Sequence, residues 1–401
     1  MGLLMLLGLV VIYAIGTLRA NALNQASGAG AFSDTYFVLK QAMSLALAVA
    51  AFAAFAILPF VFARRYADAV LIVGLGLSAL LFMAGLLDAP FVQCTNGACR
   101  WFDFGALGGL QPAELLKFGT LLYAAGFLSR RSEQGLINDF GRTILPLLLV
   151  LAAGMLCTVV LQKDMGTGLT LVSLVAVMLM VAGISWQWGV RLLVALLVVG
   201  AGLTLTAPHR MERLATFLEG DSASVTTADA ESYHITQAKI AIGTGGLLGV
   251  GIGNSIQATG YLPESINDSV FAIMGETFGF VGLVAIIALF CGLLMRLLKV
   301  SDRSSDTWMK LVAAGVFGWL GSHIILNIAS MIGIFPLTGI TLPLLSFGGT
   351  SMVFMAAALG LVFQISRYTS YSNDKKEVQY AYSGSGRGLG RTRDARRRRS
   401  A

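Results

Sequence analysis

Ten apolar stretches, each long enough to cross a hydrocarbon layer, dominate this sequence: about 2–18, 37–61, 68–88, 113–129, 143–161, 167–185, 189–206, 269–298, 309–331 and 346–366. No other feature limits the fold as much. A spanning helix needs roughly 20 apolar residues. Inside lipid every backbone N–H and C=O must find a partner within the protein, so long apolar runs become helices. Composition agrees: 56% of the residues are hydrophobic and 12% charged, where a soluble domain carries about 25% charge. The expected fold is an all-α polytopic membrane protein of about ten transmembrane helices. Only "SWQWGV" separates the sixth and seventh runs. The run 269–298 is long for one span, which predicts tilt or extension beyond the bilayer.

Orientation follows from Lys and Arg in the short loops, because the richer side stays inside. Arg64, Arg65, Arg130, Arg131, Arg142, Arg191, Arg296, Lys299, Arg303, Lys310 and the C-terminal basic residues fall on one side. Arg19, Lys40, Arg100, Lys163, Arg210, Arg213 and Lys239 fall on the poorer side. Both termini are therefore expected in the cytoplasm. One large extracytoplasmic loop, 207–268, precedes the eighth span. Within it "HRMERLATFLEG" (209–220) reads as a short amphipathic helix at the interface. "YHITQAKIAIGTGGLLGVGIGNS" (233–255) reads as a helix running into a glycine-rich bend. No strand precedes these glycines, so a nucleotide-binding reading fails.

Between Arg367 and Ala401 stand ten Lys/Arg and three acids, which account for the whole net charge of +7. Residues 369–401 read as a disordered basic cytoplasmic tail, better suited to anionic lipid than to nucleic acid. Of the four cysteines, Cys157 and Cys291 sit in apolar runs and read as inert. Cys94 and Cys99 lie in the polar "FVQCTNGACRWF", where a local disulfide is expected if the loop faces an oxidising compartment. His209, His234 and His323 are far apart in sequence, and no metal site is expected from them.

Charged residues within spans cost about 2.5–3.5 kcal/mol each on insertion scales, so three groups call for a role. In "QPAELLKF" (111–118), Pro112 fits a first helical turn. Glu114 and Lys117 share a face and can pair; a neutralising pair and a functional pair stand as equal readings. In "LQKDMGTG" (161–168), Asp164 suits the positive end of the next helix, and a cap is the plainer reading. "YLPESINDSVFAIMGE" (261–276) places Glu264, Asp268 and Glu276 across a polar-to-apolar boundary. Asn267 or Asp268 is a candidate N-cap. On an ideal helix Glu276 lies about 80° round and 12 Å along from Asp268, so both can line one cavity.

The ordered motifs "GLVVIYAIGT", "YFVLKQ", "LQPAELLKFGTLLYAAGFLSRR", "LQKDMGTGL", "HRMERLATFLEG", "YHITQAKIAIGTGGLLGVGIGNS", "YLPESINDSVFAIMGETFGFVG" and "TGITLPLLSFGGTSM" resemble those of the SEDS family of peptidoglycan polymerases, the FtsW, RodA and SpoVE proteins. The resemblance covers 1–368, everything but the tail, and is nearer to the FtsW and SpoVE forms. Three departures touch the details of substrate contact. Ile266-Asn267 replace the usual His-Thr before the key aspartate, Thr277 replaces a second acid after Glu276, and Thr350-Ser351 replace a double serine.

This resemblance implies a glycosyltransferase that joins lipid II into glycan strands at the outer membrane face. The attacking sugar hydroxyl must lose a proton, so a carboxylate is needed as general base. Asp268 is the candidate, with burial at the lipid edge expected to raise its pKa. The leaving pyrophosphate needs cations, N–H donors or a divalent metal such as Mg or Mn. Lys117 and Lys239 lead the outward-facing cations, ahead of Lys163, Arg210 and Arg213. Glu114, Asp164 and Glu276 are expected as substrate-side supports, and no protein metal ligand is assigned. Glycines 243–253 either bring N–H groups to phosphate or pack. "TGITLPLLSFGGTS" reads as a re-entrant loop shaping the cavity, with Asn327 nearby. The chain carries no S-x-x-K with K-T-G. Crosslinking is thus left to a partner, which the resemblance names as a class B penicillin-binding protein, beside other divisome membrane proteins. The implied place is the bacterial cytoplasmic membrane at the division septum. Alternatives are an elongation-type, RodA-like polymerase, a flippase or transporter for lipid-linked precursors, whose acids belong nearer mid-membrane, and a scaffold that only recruits the transpeptidase.

Overall fold

The computed structural model describes residues 1–27, 32–95, 98–105, 108–205 and 230–385. Each of the ten apolar runs falls largely on helix. The first four lie on α1 (Gly2–Ser27), α2 (Tyr36–Ile57) with the short α3 (Phe60–Arg65), α4 (Ala67–Leu86) and α5 (Pro112–Glu133). The fifth is α-helical only at its centre, α6 (Leu145–Met155), between π turns at Phe140–Ile144 and Leu156–Leu161. Then come α7 (Met165–Ala182), α8 (Trp186–Leu205), α9 (Ala230–Thr244), α10 (Val270–Arg303), α11 (Thr307–Met331) and α12 (Gly349–Ser385). Among the described residues eight helices are long and apolar enough to cross a membrane. The more polar α5 and the helix α8 match the two remaining runs in length, at 22 and 20 residues. Helix α12 continues to Ser385, past the boundary at 369 where the tail was expected to begin. The expected amphipathic helix 209–220, with Arg210 and Arg213, lies outside the described residues.

Burial ranks the helices. In α11, 78% of the most apolar stretch is buried, against 17% in α2. Helix α11 is thus the central post, with Trp308 and Trp319 fully enclosed. Large apolar side chains such as Leu47, Ile72, Leu80, Met180 and Phe280 are exposed on the outside. A soluble surface avoids contiguous apolar faces of this kind, whereas lipid tails cover them without cost.

The connections sort to two ends. At one, Arg100 reaches the carbonyls of Gln162 and Lys163, Gln111 N–H donates to Thr350 Oγ1, and Phe347 N–H donates to Ile266 O. At the other, Arg64 lies 3.8 Å from Asp306, Gln364 donates to Leu58 O, and Ser185 N–H donates to Asn138 Oδ1. Arg100 and Lys163 thus fall at the first end and Arg64 at the second.

Two features depart from the expected all-α reading. A small antiparallel sheet, β1 (Val92–Thr95), β2 (Ala98–Asp103) and β3 (Gly109–Leu110), forms in the loop before α5. Cys94 and Cys99 pair across β1 and β2 and are joined as a disulfide. Their sulfurs pack on Gly85 at the end of α4, where a β-carbon would stand 2.6 Å from Cys99 Sγ. The second concerns α10, whose 34 residues do not form one continuous helix. It is broken at Gly279 (φ 67°, ψ −168°). The orphaned carbonyls of Glu276 and Thr277 accept from Val250 and Gly251, and the N–H groups of Phe280 and Val281 donate to Gly246 and Leu247. A β-carbon at Gly279 would lie 2.4 Å from Gly249 N, so only glycine admits the bend there. The glycine-rich bend therefore packs on α10, with the Val250 and Gly251 amides spent on its freed carbonyls.

Candidate active site

Asp268 ends the irregular turn before α10. It is not on the helix: position Ser269 is the N-cap and makes no side-chain capping bond. Neither Asn267 nor Asp268 caps, and the ideal-helix relation to Glu276 does not hold. Asp268 is 8% exposed. Burial, with a smaller push from the charge of Glu264, raises its carboxyl from the ordinary value near 3.8 to about 7. Its position is fixed from α11: Asn327 Nδ2 donates to Asp268 O and to Ile340 O, each at 2.7 Å. One side chain thereby bolts the aspartate's turn to the 332–348 loop. That loop borders a small hollow lined by Thr341, Pro343, Ser346, Gly348 and Ser351 among others.

One turn back along α11 stands His323, with Lys117 Nζ 3.1 Å from its Nε2 and Trp319 Nε1 3.2 Å from the same atom. Two donors converge on Nε2, so that nitrogen accepts and Nδ1 carries the hydrogen, facing Thr341 O at 3.4 Å. Lys117 Nζ also bonds Glu114 Oε1 at 2.8 Å, and the two side chains are 1% and 4% exposed. Residues i and i+4 of a helix sit about 5–6 Å apart. His323 and Asn327 thus share one face of α11, one turn apart, with the buried pair beside the first and the Asp268 turn beside the second. His323 was missed in the sequence; the available signal was two polar residues, 323 and 327, at helical spacing in an apolar run.

The other predicted residues are dispersed. Asp164 caps α7, accepting from Thr167 N–H at 2.9 Å and Thr167 Oγ1 at 2.8 Å, with Gln111 Nε2 3.5 Å away. Lys239 is exposed on α9 and lies across Gly333. Glu276 lines no cavity beside Asp268. It is 2% exposed and gathers Ser255 Oγ (2.5 Å), Ile256 N–H (3.0 Å) and Gln257 N–H (3.3 Å). Its job is to staple the 255–257 segment to α10. Glu276→Ala is expected to destabilise the protein by about 3–5 kcal/mol, since two buried donors and one part-buried donor lose a charged acceptor; thermal unfolding in detergent reads it. An unchanged melting temperature would contradict the staple.

Among the described residues no three His, Cys, Asp or Glu side chains are grouped to hold a metal ion.

These features define a polytopic helical membrane protein with a buried carboxylate at one mouth of the bundle. Residues 1–371 match the FtsW/RodA/SpoVE family, described as cell cycle proteins. The chain belongs to that family. It is 31% identical to stage V sporulation protein E of Bacillus subtilis, over 92% of this chain and 95% of that one. It is 34% identical to a probable peptidoglycan glycosyltransferase FtsW of Coxiella burnetii, over 73% and 79%. In three dimensions it resembles a chain from a peptidoglycan synthase complex that coordinates polymerization and crosslinking (TM-score 0.67, 26% identity, 90% and 97% covered). It also resembles the rod shape determining protein RodA of Thermus thermophilus (TM-score 0.60, 27% identity, 89% and 95% covered).

Proposed function

We propose that this chain is a peptidoglycan glycosyltransferase that polymerises lipid II at the outer face of the bacterial cytoplasmic membrane. The observation that carries the reading is Asp268, a carboxylate fixed at the mouth of an apolar bundle and titrating near neutrality. In the reaction the acceptor sugar's hydroxyl oxygen attacks the anomeric carbon of a second lipid II. Asp268 takes the hydroxyl proton, the new glycosidic bond forms, and the bond to the pyrophosphate breaks. Asn327 and the 332–348 loop hold the base. Lys239, exposed on α9, is the cation assigned to the pyrophosphate. Lys117 engages the substrate only by releasing Glu114 or His323, and otherwise orders the wall of the site. The catalytic unit is residues 1–368, including the outer loop 207–268, with a basic tail beyond it. Relatives named FtsW support a place at the septum, with a class B penicillin-binding protein as crosslinking partner.

The test is formation of glycan strands from lipid II by the purified protein in detergent, with and without its partner transpeptidase. Strands are expected; their absence under both conditions overturns the reading. Detergent leaves nothing to flip, so product there also excludes a pure flippase. A base must be ionised to work, so kcat/KM is expected to fall about tenfold per pH unit below pH 7. A flat profile from pH 5 to 8 would contradict the assignment of Asp268.

A further inference from the structure

Asp268 does not stand alone. Ser269, 0% exposed, places its Oγ 3.4 Å from Asp268 Oδ1, 2.9 Å from Pro263 O and 2.5 Å from His234 Nε2. His234 comes from α9 and is 8% exposed. Three groups therefore meet one buried hydroxyl that owns a single hydrogen. Pro263 O and the carboxylate can only accept. If His234 Nε2 were bare, the shortest contact would draw the serine hydrogen to it, and neither oxygen would be served. If Nε2 carries hydrogen, it donates to Oγ, and the serine hydrogen stays available to the turn and to Asp268. In the second arrangement Oγ accepts from His234, and its one hydrogen is shared between Pro263 O at 2.9 Å and Asp268 Oδ1 at 3.4 Å, so no donor is left idle.

We propose that His234 is a positioning residue for Asp268, acting through Ser269: its Nε2–H anchors the hydroxyl, which keeps its own hydrogen for the Pro263 carbonyl and the Asp268 carboxylate. The inference rests on the reading of Asp268 as the base. It gives α9 a part in the chemistry, because the helix that supplies His234 also supplies Lys239. Glu264, exposed in the same turn, is the charged side chain whose field reaches both His234 and Asp268 among the described residues. It is held by Asn267, which keeps that field in place.

The experiment compares Ser269→Ala, His234→Leu and His234→Gln, each with and without Asp268→Asn, in the full-length protein. Glutamine keeps an N–H near the Nε2 position but cannot ionise. Two readouts are taken: the pH at which the stability gap between each protein and its Asp268→Asn partner stops growing, which is set by the folded carboxyl, and the acid limb of kcat/KM. Losing a hydrogen bond to the ionised carboxylate moves both midpoints upward, by about half a pH unit or more. Ser269→Ala and His234→Leu are expected to do this and to lower kcat roughly tenfold, the size of one hydrogen bond to a charged group, with little change in KM. His234→Gln is expected to restore both midpoints. Unmoved midpoints in Ser269→Ala and His234→Leu overturn the proposal, even if both variants melt earlier. A glutamine that behaves like leucine overturns the donor role. If the midpoints move but the unaltered protein makes no glycan, the positioning stands and the polymerase reading fails.

Discussion

Asp268→Asn is expected to abolish polymerisation and to stabilise the protein at the same time. Removing a positioned general base costs on the order of 10²–10⁴-fold in rate. Asparagine keeps the size and the hydrogen bonds of the site but takes no proton. Its effect on stability has the opposite sign. The folded carboxyl titrates at about 7, and the unfolded one near 3.8. Between those values the folded state binds a proton that the unfolded state has lost, so stability falls as pH rises through that window. Above pH 7 the deficit is complete, at roughly 4 kcal/mol. An asparagine side chain carries no such deficit. The variant should melt higher than the natural protein at pH 8 and converge with it near pH 4. Lipid II polymerisation and detergent melting curves across pH measure the two halves. Near-normal polymerisation would sink the base; identical melting at pH 8 would sink the burial argument.

Lys117→Met is expected to give a large loss of stability. Its ammonium and the Glu114 carboxylate are buried together, so deleting one leaves the other uncompensated. Breaking such a pair costs about 3–5 kcal/mol. His323 Nε2 loses a donor as well. Replacing both charges, in Glu114→Leu/Lys117→Met, should regain most of the stability, because two apolar side chains of similar volume need no compensation. Activity should stay low in the double variant, since the charge beside His323 is still missing. Single-variant melting equal to the natural protein's would contradict the buried pair. So would a double variant no more stable than the single one.

The helices were legible because lipid imposes one rule: an apolar run of spanning length has no other way to satisfy its backbone. The Glu114–Lys117 pair was legible for a related reason, since three-residue spacing puts both on one face. Asp164 as a cap followed from its place before α7. Glu276 misled. Periodicity assumed a helix running back through Asp268, but the helix starts at Val270 and the glutamate turns toward Ser255. The break at Gly279 was hidden because no local pattern around it marks a helix end. It exists only because the 246–251 backbone is there to take the freed hydrogen bonds. The sheet before α5 was missed since its strands are short and sit in a loop.

By itself the amino-acid order determined the class of fold, the membrane as solvent, the two loop sets and the family, because these rest on hydropathy, local charge and ordered motifs. Tertiary structure alone decided which polar groups meet. Asn327 reaches Asp268 across 59 residues and Lys117 meets His323 across 206. His234 and Ser269 come from different elements. Such encounters depend on how helices cross and where a glycine bends one. No local pattern encodes them, and the reactivity of Asp268 depends on them, since a carboxylate's proton affinity is set by what surrounds it.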